Sequence, residues 1–170
     1  MRFRMIPRTL LTTLVALTFV SAISLMASTS GAHFFSASGS VLDNGDLAIS
    51  FNEAGLGNEN VNYTVTANAQ AFYGCINGGG NHPQATNKEA VNATVSQDFS
   101  REPKNGRVSS SITLDVPPPP ATFSCPSGQV AVLASVSYTS TTLTDTTNGV
   151  SITQSDMTGT FSRTFFTFKK

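Results

Sequence analysis

Between Val61 and Cys75 the odd positions hold Val61, Tyr63, Val65, Ala67, Ala69, Ala71, Tyr73 and Cys75, while the even positions hold Asn62, Thr64, Thr66, Asn68, Gln70, Phe72 and Gly74. Successive side chains of an extended chain point to opposite sides, so this alternation collects the first set on one face of a strand and the second on the other. A helix would scatter both sets around its circumference. Phe72 alone breaks the pattern, and the three odd alanines predict a bend.

Shorter stretches repeat the pattern. Val91, Ala93, Val95 and Phe99 alternate with mostly polar neighbours, as do Val108, Ile112, Leu114 and Val116, and then Val130, Val132, Ala134, Val136 and Tyr138. Each predicts a half-buried strand. Two Asn-Gly pairs mark hairpins, because a type I′ turn needs positive φ at both central residues and Asn-Gly tolerates it. A two-residue loop at Asn44-Gly45 pairs Leu42 with Leu47 and Ser40 with Ile49, and gathers Leu42, Leu47, Ile49 and Phe51 on one face. A two-residue loop at Asn148-Gly149 pairs Asp145 with Ile152 and gathers Leu143, Val150 and Ile152. Phe161, Phe165, Phe166 and Phe168 complete a last strand.

With no helical period after the first thirty residues, the pattern predicts about eight or nine strands in an all-β, antiparallel β-sandwich of immunoglobulin-like general shape.

Residues 1–32 differ in kind. Arg2, Arg4 and Arg8 precede an apolar run from Leu10 to about Ala27, and small residues follow at Ser28 to Ala32. This is the layout of a secretory signal peptide. Cleavage after Ala32 fits the small-x-small rule best and would make His33 the first residue of a single domain, residues 33–170. Thr12, Thr13, Thr18, Ser21 and Ser24 dilute the run as a retained membrane anchor. All ten acidic residues fall in the domain and three of the ten basic ones in the leader, which gives residues 33–170 a formal charge of −3. That balance argues against nucleic acid or anionic lipid as a partner. Charged residues make up 12% of the chain, so Thr, Ser and Asn carry the surface polarity.

Two cysteines in an exported chain predict a disulfide, Cys75–Cys125. That bond would make Pro117–Pro120 an internal connection rather than a linker between domains. No metal is predicted, because the cysteines lack partners at ligand spacing, and Asp43-Asn44-Gly45-Asp46 and Asn58-Glu59-Asn60 do not match a calcium loop. No cofactor is implied.

Catalysis has little to stand on. His33 sits at the predicted cleavage point, leaving His82 as the internal base, and no nucleophile motif accompanies it. Glu53, Glu59, Glu89 and Glu102 could supply paired carboxylates for glycoside hydrolysis, yet nothing in the sequence pairs any two. The segment from Gly74 to Pro83 stands out, since three successive glycines cost backbone entropy on ordering. Asn77, Asn81 and His82 flank them; the segment reads first as a flexible connection between the long strand and the one beginning near Val91, and, if the domain has a specific binding site, the loop Ile76–Lys88 is where it is expected. Asn62-Tyr63-Thr64 and Asn92-Ala93-Thr94 match the N-glycosylation acceptor pattern.

The function these features favour is a secreted or cell-surface module with a binding or structural role, its partner an extracellular protein or small ligand, with no stable membrane insertion after cleavage. The absence of tryptophan disfavours a sugar platform. The rivals are a secreted hydrolase using His82 with a loop carboxylate and a small outer-membrane β-barrel.

Overall fold

The structure, a computed structural model, describes residues 31–79 and 87–168. Among them run β1 (His33–Val41), β2 (Leu47–Ala54), β3 (Val61–Asn77), β4 (Lys88–Arg101), β5 (Arg107–Leu114), β6 (Gln129–Asp145), β7 (Val150–Thr153), a 3₁₀ turn at Gln154–Asp156, β8 (Thr158–Thr160) and β9 (Ser162–Thr164). They form two sheets packed face to face. One has the order β5-β2-β1-β8; the other has β4-β3-β6-β7, with β9 also paired to β6. The apolar faces turn toward each other across the core, and each sheet keeps open edges. This is a sandwich and not a closed membrane barrel, whose apolar band would face outward.

β3 is the spine, paired antiparallel with β4 on one side and β6 on the other. The predicted alternation holds along it: every odd residue from Val61 to Cys75 is buried, and Phe72 points outward. The bend expected near the alanines is made by β6, where Ser140 and Thr141 together oppose Ala67 and Ser140 adopts a φ of 54°. A second bulge leaves Ala134 unpaired between Leu133 and Ser135. Each extra residue flips the parity of the side chains after it. Val130 and Val132 consequently lie on the outer face, the reverse of the predicted pattern, with Val130 59% exposed. Ala134, Val136 and Tyr138 face the core, and beyond the second inversion Thr141, Leu143 and Asp145 do.

Both hairpin registers differ from the predicted ones. At the first, Leu42 N–H donates to Asp46 O (2.8 Å) and Gly45 N–H to Leu42 O (3.1 Å), while Gly45 takes a φ of 97°. This is a three-residue loop with a left-handed glycine. Val41 therefore pairs with Leu47, a slip of one residue that turns Leu42 outward and buries Val41. The cause is long-range, since the Asp46 carboxylate accepts the Val116 N–H (2.8 Å) and the Gly45 carbonyl accepts the Tyr138 hydroxyl (2.8 Å). At the second, Asp145 pairs with Val150 and Leu143 with Ile152. Asp145 Oδ1 accepts the N–H groups of Thr147 (2.8 Å) and Asn148 (2.9 Å), which fixes a four-residue loop. A slip of two residues preserves facing, so Leu143 and Ile152 still share the core.

The predicted final strand is two short strands in different sheets. β8 pairs parallel to β1, and β9 pairs antiparallel to β6. The chain crosses between the sheets at Phe161, whose carbonyl accepts the Tyr138 N–H (2.7 Å). Its ring occupies the space beside Gly39, where an added Cβ would lie 2.6 Å from ring carbons. Gly39→Ala is expected to unseat the ring and lower stability by about 1–3 kcal/mol. An unchanged melting temperature would show that the ring is not fixed there.

Candidate functional site

The described ends of the predicted loop, residues 76–79 and 87–88, lie at the end of the sandwich that carries the disulfide. Ile76 and Asn77 belong to the last turn of pleat in β3, where Asn77 pairs with Gln129 and is half-buried. Lys88 opens β4. Asn81 and His82 lie outside the described residues, so of the three predicted site residues only Asn77 has a described position. The Cys75–Cys125 bond has its Cα atoms 5.6 Å apart. It ties the connection 115–128, which crosses from β5 in one sheet to β6 in the other, onto a fully buried position of β3. Tyr73 helps by donating its hydroxyl to the Pro117 carbonyl (2.8 Å). Between that connection and the start of β4 lies a shallow open groove of about 300 Å³, lined by Asn87, Lys88, Glu89, Thr122, Phe123 and Ser124.

The opposite end holds two carboxylates that sequence reading did not bring together. Glu53 of β2 and Asp145 of β6 are both fully buried between the sheets. Tyr63, directly across from Asp145 in the ladder, donates its hydroxyl to Glu53 Oε2 (2.7 Å). Asp145 is well supplied with donors, taking the Asn148 side-chain amide (2.6 Å) besides the two backbone N–H groups. Glu53 is not: its Oε1 is buried without a hydrogen-bond partner. Burial therefore pushes the Glu53 carboxyl from 4.5 up to about 7, opposed by the Tyr63 hydrogen bond and reinforced by the charge of Asp145. Burial and the neighbouring Glu53 likewise push the Tyr63 hydroxyl upward. At pH 7 the Glu53 carboxyl is therefore about half protonated, because burial disfavours its charged form. The signal for Glu53 was present in the sequence: it follows Leu47, Ile49 and Phe51 at the same parity.

These carboxylates are walled in. Phe51 and Phe99 pack on Tyr63 with ring centroids 5.1 Å away in each case, and Phe34 packs on Phe51 at 5.8 Å. A substrate cannot reach Glu53 without separating the sheets. Of the other glutamates singled out, Glu59 and Glu102 are exposed and Glu89 is half-buried on β4. Among the described residues no three His, Cys, Asp or Glu side chains are placed to share a metal ion. Asp43 instead pairs with Arg163 (2.6 Å).

The outer faces carry uncharged polar ladders. On one sheet the register aligns Ser111, Ser50, Ser38 and Thr158 in a row across four strands. On the other, Gln70 donates to Asn92 (3.0 Å) and Thr94 to Asn68 (3.0 Å), flanking an open depression of about 380 Å³. Asn62 and Asn92, the two acceptor-pattern asparagines, are exposed on this face. All three tyrosines have their hydroxyls committed inside the fold, to Glu53, Pro117 and Gly45.

The fold and its ends define a two-sheet, disulfide-pinned all-β domain with a buried acid pair. Comparison with protein-family models, with curated proteins and with solved structures finds no match.

Proposed function

We propose that this chain is an exported, non-catalytic β-sandwich module that meets its partner through strand edges, uncharged polar faces and the loop Ile76–Lys88. The observation that supports this best is where the reactive groups are spent. The acid pair and all three tyrosine hydroxyls serve the interior, while the surface offers Ser, Thr, Asn and Gln in registered rows. Export is supported by the leader-like residues 1–32 and by β1, whose first residue, His33, is the one that cleavage after Ala32 would expose. A disulfide is compatible with an oxidising compartment. The rival, a hydrolase using His82, would need a carboxylate within reach of residues 80–86.

The test begins with intact-mass measurement of protein recovered from culture medium or cell envelope, which is expected to show loss of residues 1 to about 32. Full-length protein confined to the cytoplasm would refute export. Replacing Asn77, Asn81 and His82 together by Ala is expected to leave the circular dichroism of the folded sandwich in place and to release the protein from isolated native envelope. Hydrolytic activity lost with His82→Ala alone would favour the enzyme.

A further inference from the structure

The two long sides of the sandwich are finished differently. On one side β7, β8, β9 and the Phe161 crossing close the gap between the sheets. On the other, β4 and β5 are the edge strands. The β5 edge is partly covered, because Arg101 donates from Nε to Ser110 Oγ (2.6 Å) and from Nη2 to the Ser111 carbonyl (3.3 Å). The β4 edge is not covered by another strand among the described residues. It runs for 14 residues, pairs with β3 without a register shift, and has no proline. Such an edge offers a row of backbone donors and acceptors, which monomeric proteins usually interrupt with bulges, prolines or central charges. Here Ala90 to Gln97 is uncharged.

We propose that β4 pairs antiparallel with β4 of a second copy, centred on Val95, to make one sheet continuous through both molecules. The register follows from charge and facing together. With Val95 opposite its own counterpart, Glu89 stands opposite Arg101 and Lys88 opposite Glu102, so twofold symmetry produces four oppositely charged pairs. On the inner face Val91 meets Phe99 and Ala93 meets Gln97; on the outer face Asn92 meets Asp98 and Thr94 meets Ser96. Centring on Thr94 would instead set Glu89 against Phe99, and centring on Ser96 would set Val91 against Arg101. Of the registers centred on Thr94, Val95 and Ser96, the Val95 one matches the charges and covers apolar side chains that the monomer leaves half-buried, Val91, Val95 and Phe99. Matched cross-strand pairs stabilise a ladder and like charges directly opposite weaken it.

This inference deepens the module reading by naming the partner as a second copy, and its failure leaves that reading standing, since export and envelope retention are measured separately. Protein purified after expression of the full chain is expected to show a concentration-dependent dimer by light scattering. Val95→Lys, which sets two like charges on the twofold axis, is expected to abolish the dimer while circular dichroism is unchanged. Val95→Cys is expected to form a covalent dimer readily, because directly opposed Cα atoms in an antiparallel pair lie at about 4.5–5.5 Å, within disulfide reach. Thr94→Cys, displaced from the axis, is expected to cross-link far more slowly. Lys88→Glu and Glu102→Lys are each expected to weaken self-association about tenfold, by turning attractive pairs repulsive, and an equimolar mixture of the two variants is expected to recover it. A wild-type monomer at every concentration would overturn the proposal. So would a dimer that survives Val95→Lys and leaves Val95→Cys unlinked, or β4 amides protected only by a strand from another protein.

Discussion

Glu53→Gln is expected to stabilise the protein by about 3 kcal/mol at pH 8 and to change it little at pH 4.5. In the unfolded chain this carboxyl titrates near 4.5, whereas in the fold it titrates at about 7. Between those values the native state binds a proton that the unfolded state releases, so stability falls as pH rises through the window. The contribution is fully present below pH 4.5 and fully lost above about pH 7. Glutamine is neutral at every pH, can accept the Tyr63 hydroxyl, and presents an N–H toward Asp145. Urea unfolding at pH 5 and pH 8 checks the expectation: wild type should lose stability between the two, and Glu53→Gln should lose much less. Equal pH dependence in both proteins would remove Glu53 as its source.

Replacing either Cys75 or Cys125 by Ser is expected to cost about 4 kcal/mol, the chain-entropy value for a loop of this length, whose half-cystines stand 50 residues apart. The loss should not be spread evenly. Residues 115–128 have few other anchors, chiefly the Tyr73–Pro117 and Asp46–Val116 hydrogen bonds, so their amides should exchange fastest in the variant. A midpoint unchanged in urea, or uniform exchange across both sheets, would contradict this assignment of the bond's role.

Legibility in the sequence followed the range of the interaction that decided each feature. β3 could be read residue by residue because both its neighbours are strands and its alternation runs unbroken from Val61 to Tyr73. The disulfide could be read because only one pairing of the two cysteines exists. The parity of β6 could not, since its bulges at Ala134 and Ser140-Thr141 carry neither glycine nor proline. The first hairpin was marked by Asn44-Gly45, but its register depends on what Asp46 accepts from Val116, 70 positions away. Glu53 was visible as an inward position, yet its neighbour Asp145 emerges only once β2 is packed across the core from the sheet in which β3 and β6 pair. The loop Ile76–Lys88 could not be placed for a different reason: glycine-rich chain gives no periodic signal, and Asn81 and His82 lie outside the described residues.

The crossing at Phe161 also sets the order in which the molecule can be completed. Sheet β5-β2-β1-β8 acquires its last member only when residues 158–160 lie beside β1, which was made some 120 positions earlier. Until then the Gly39 hollow is empty and the β1 edge is bare. A chain delivered from its N-terminus by the ribosome therefore holds β1 in an unfinished sheet until residues 158–160 emerge.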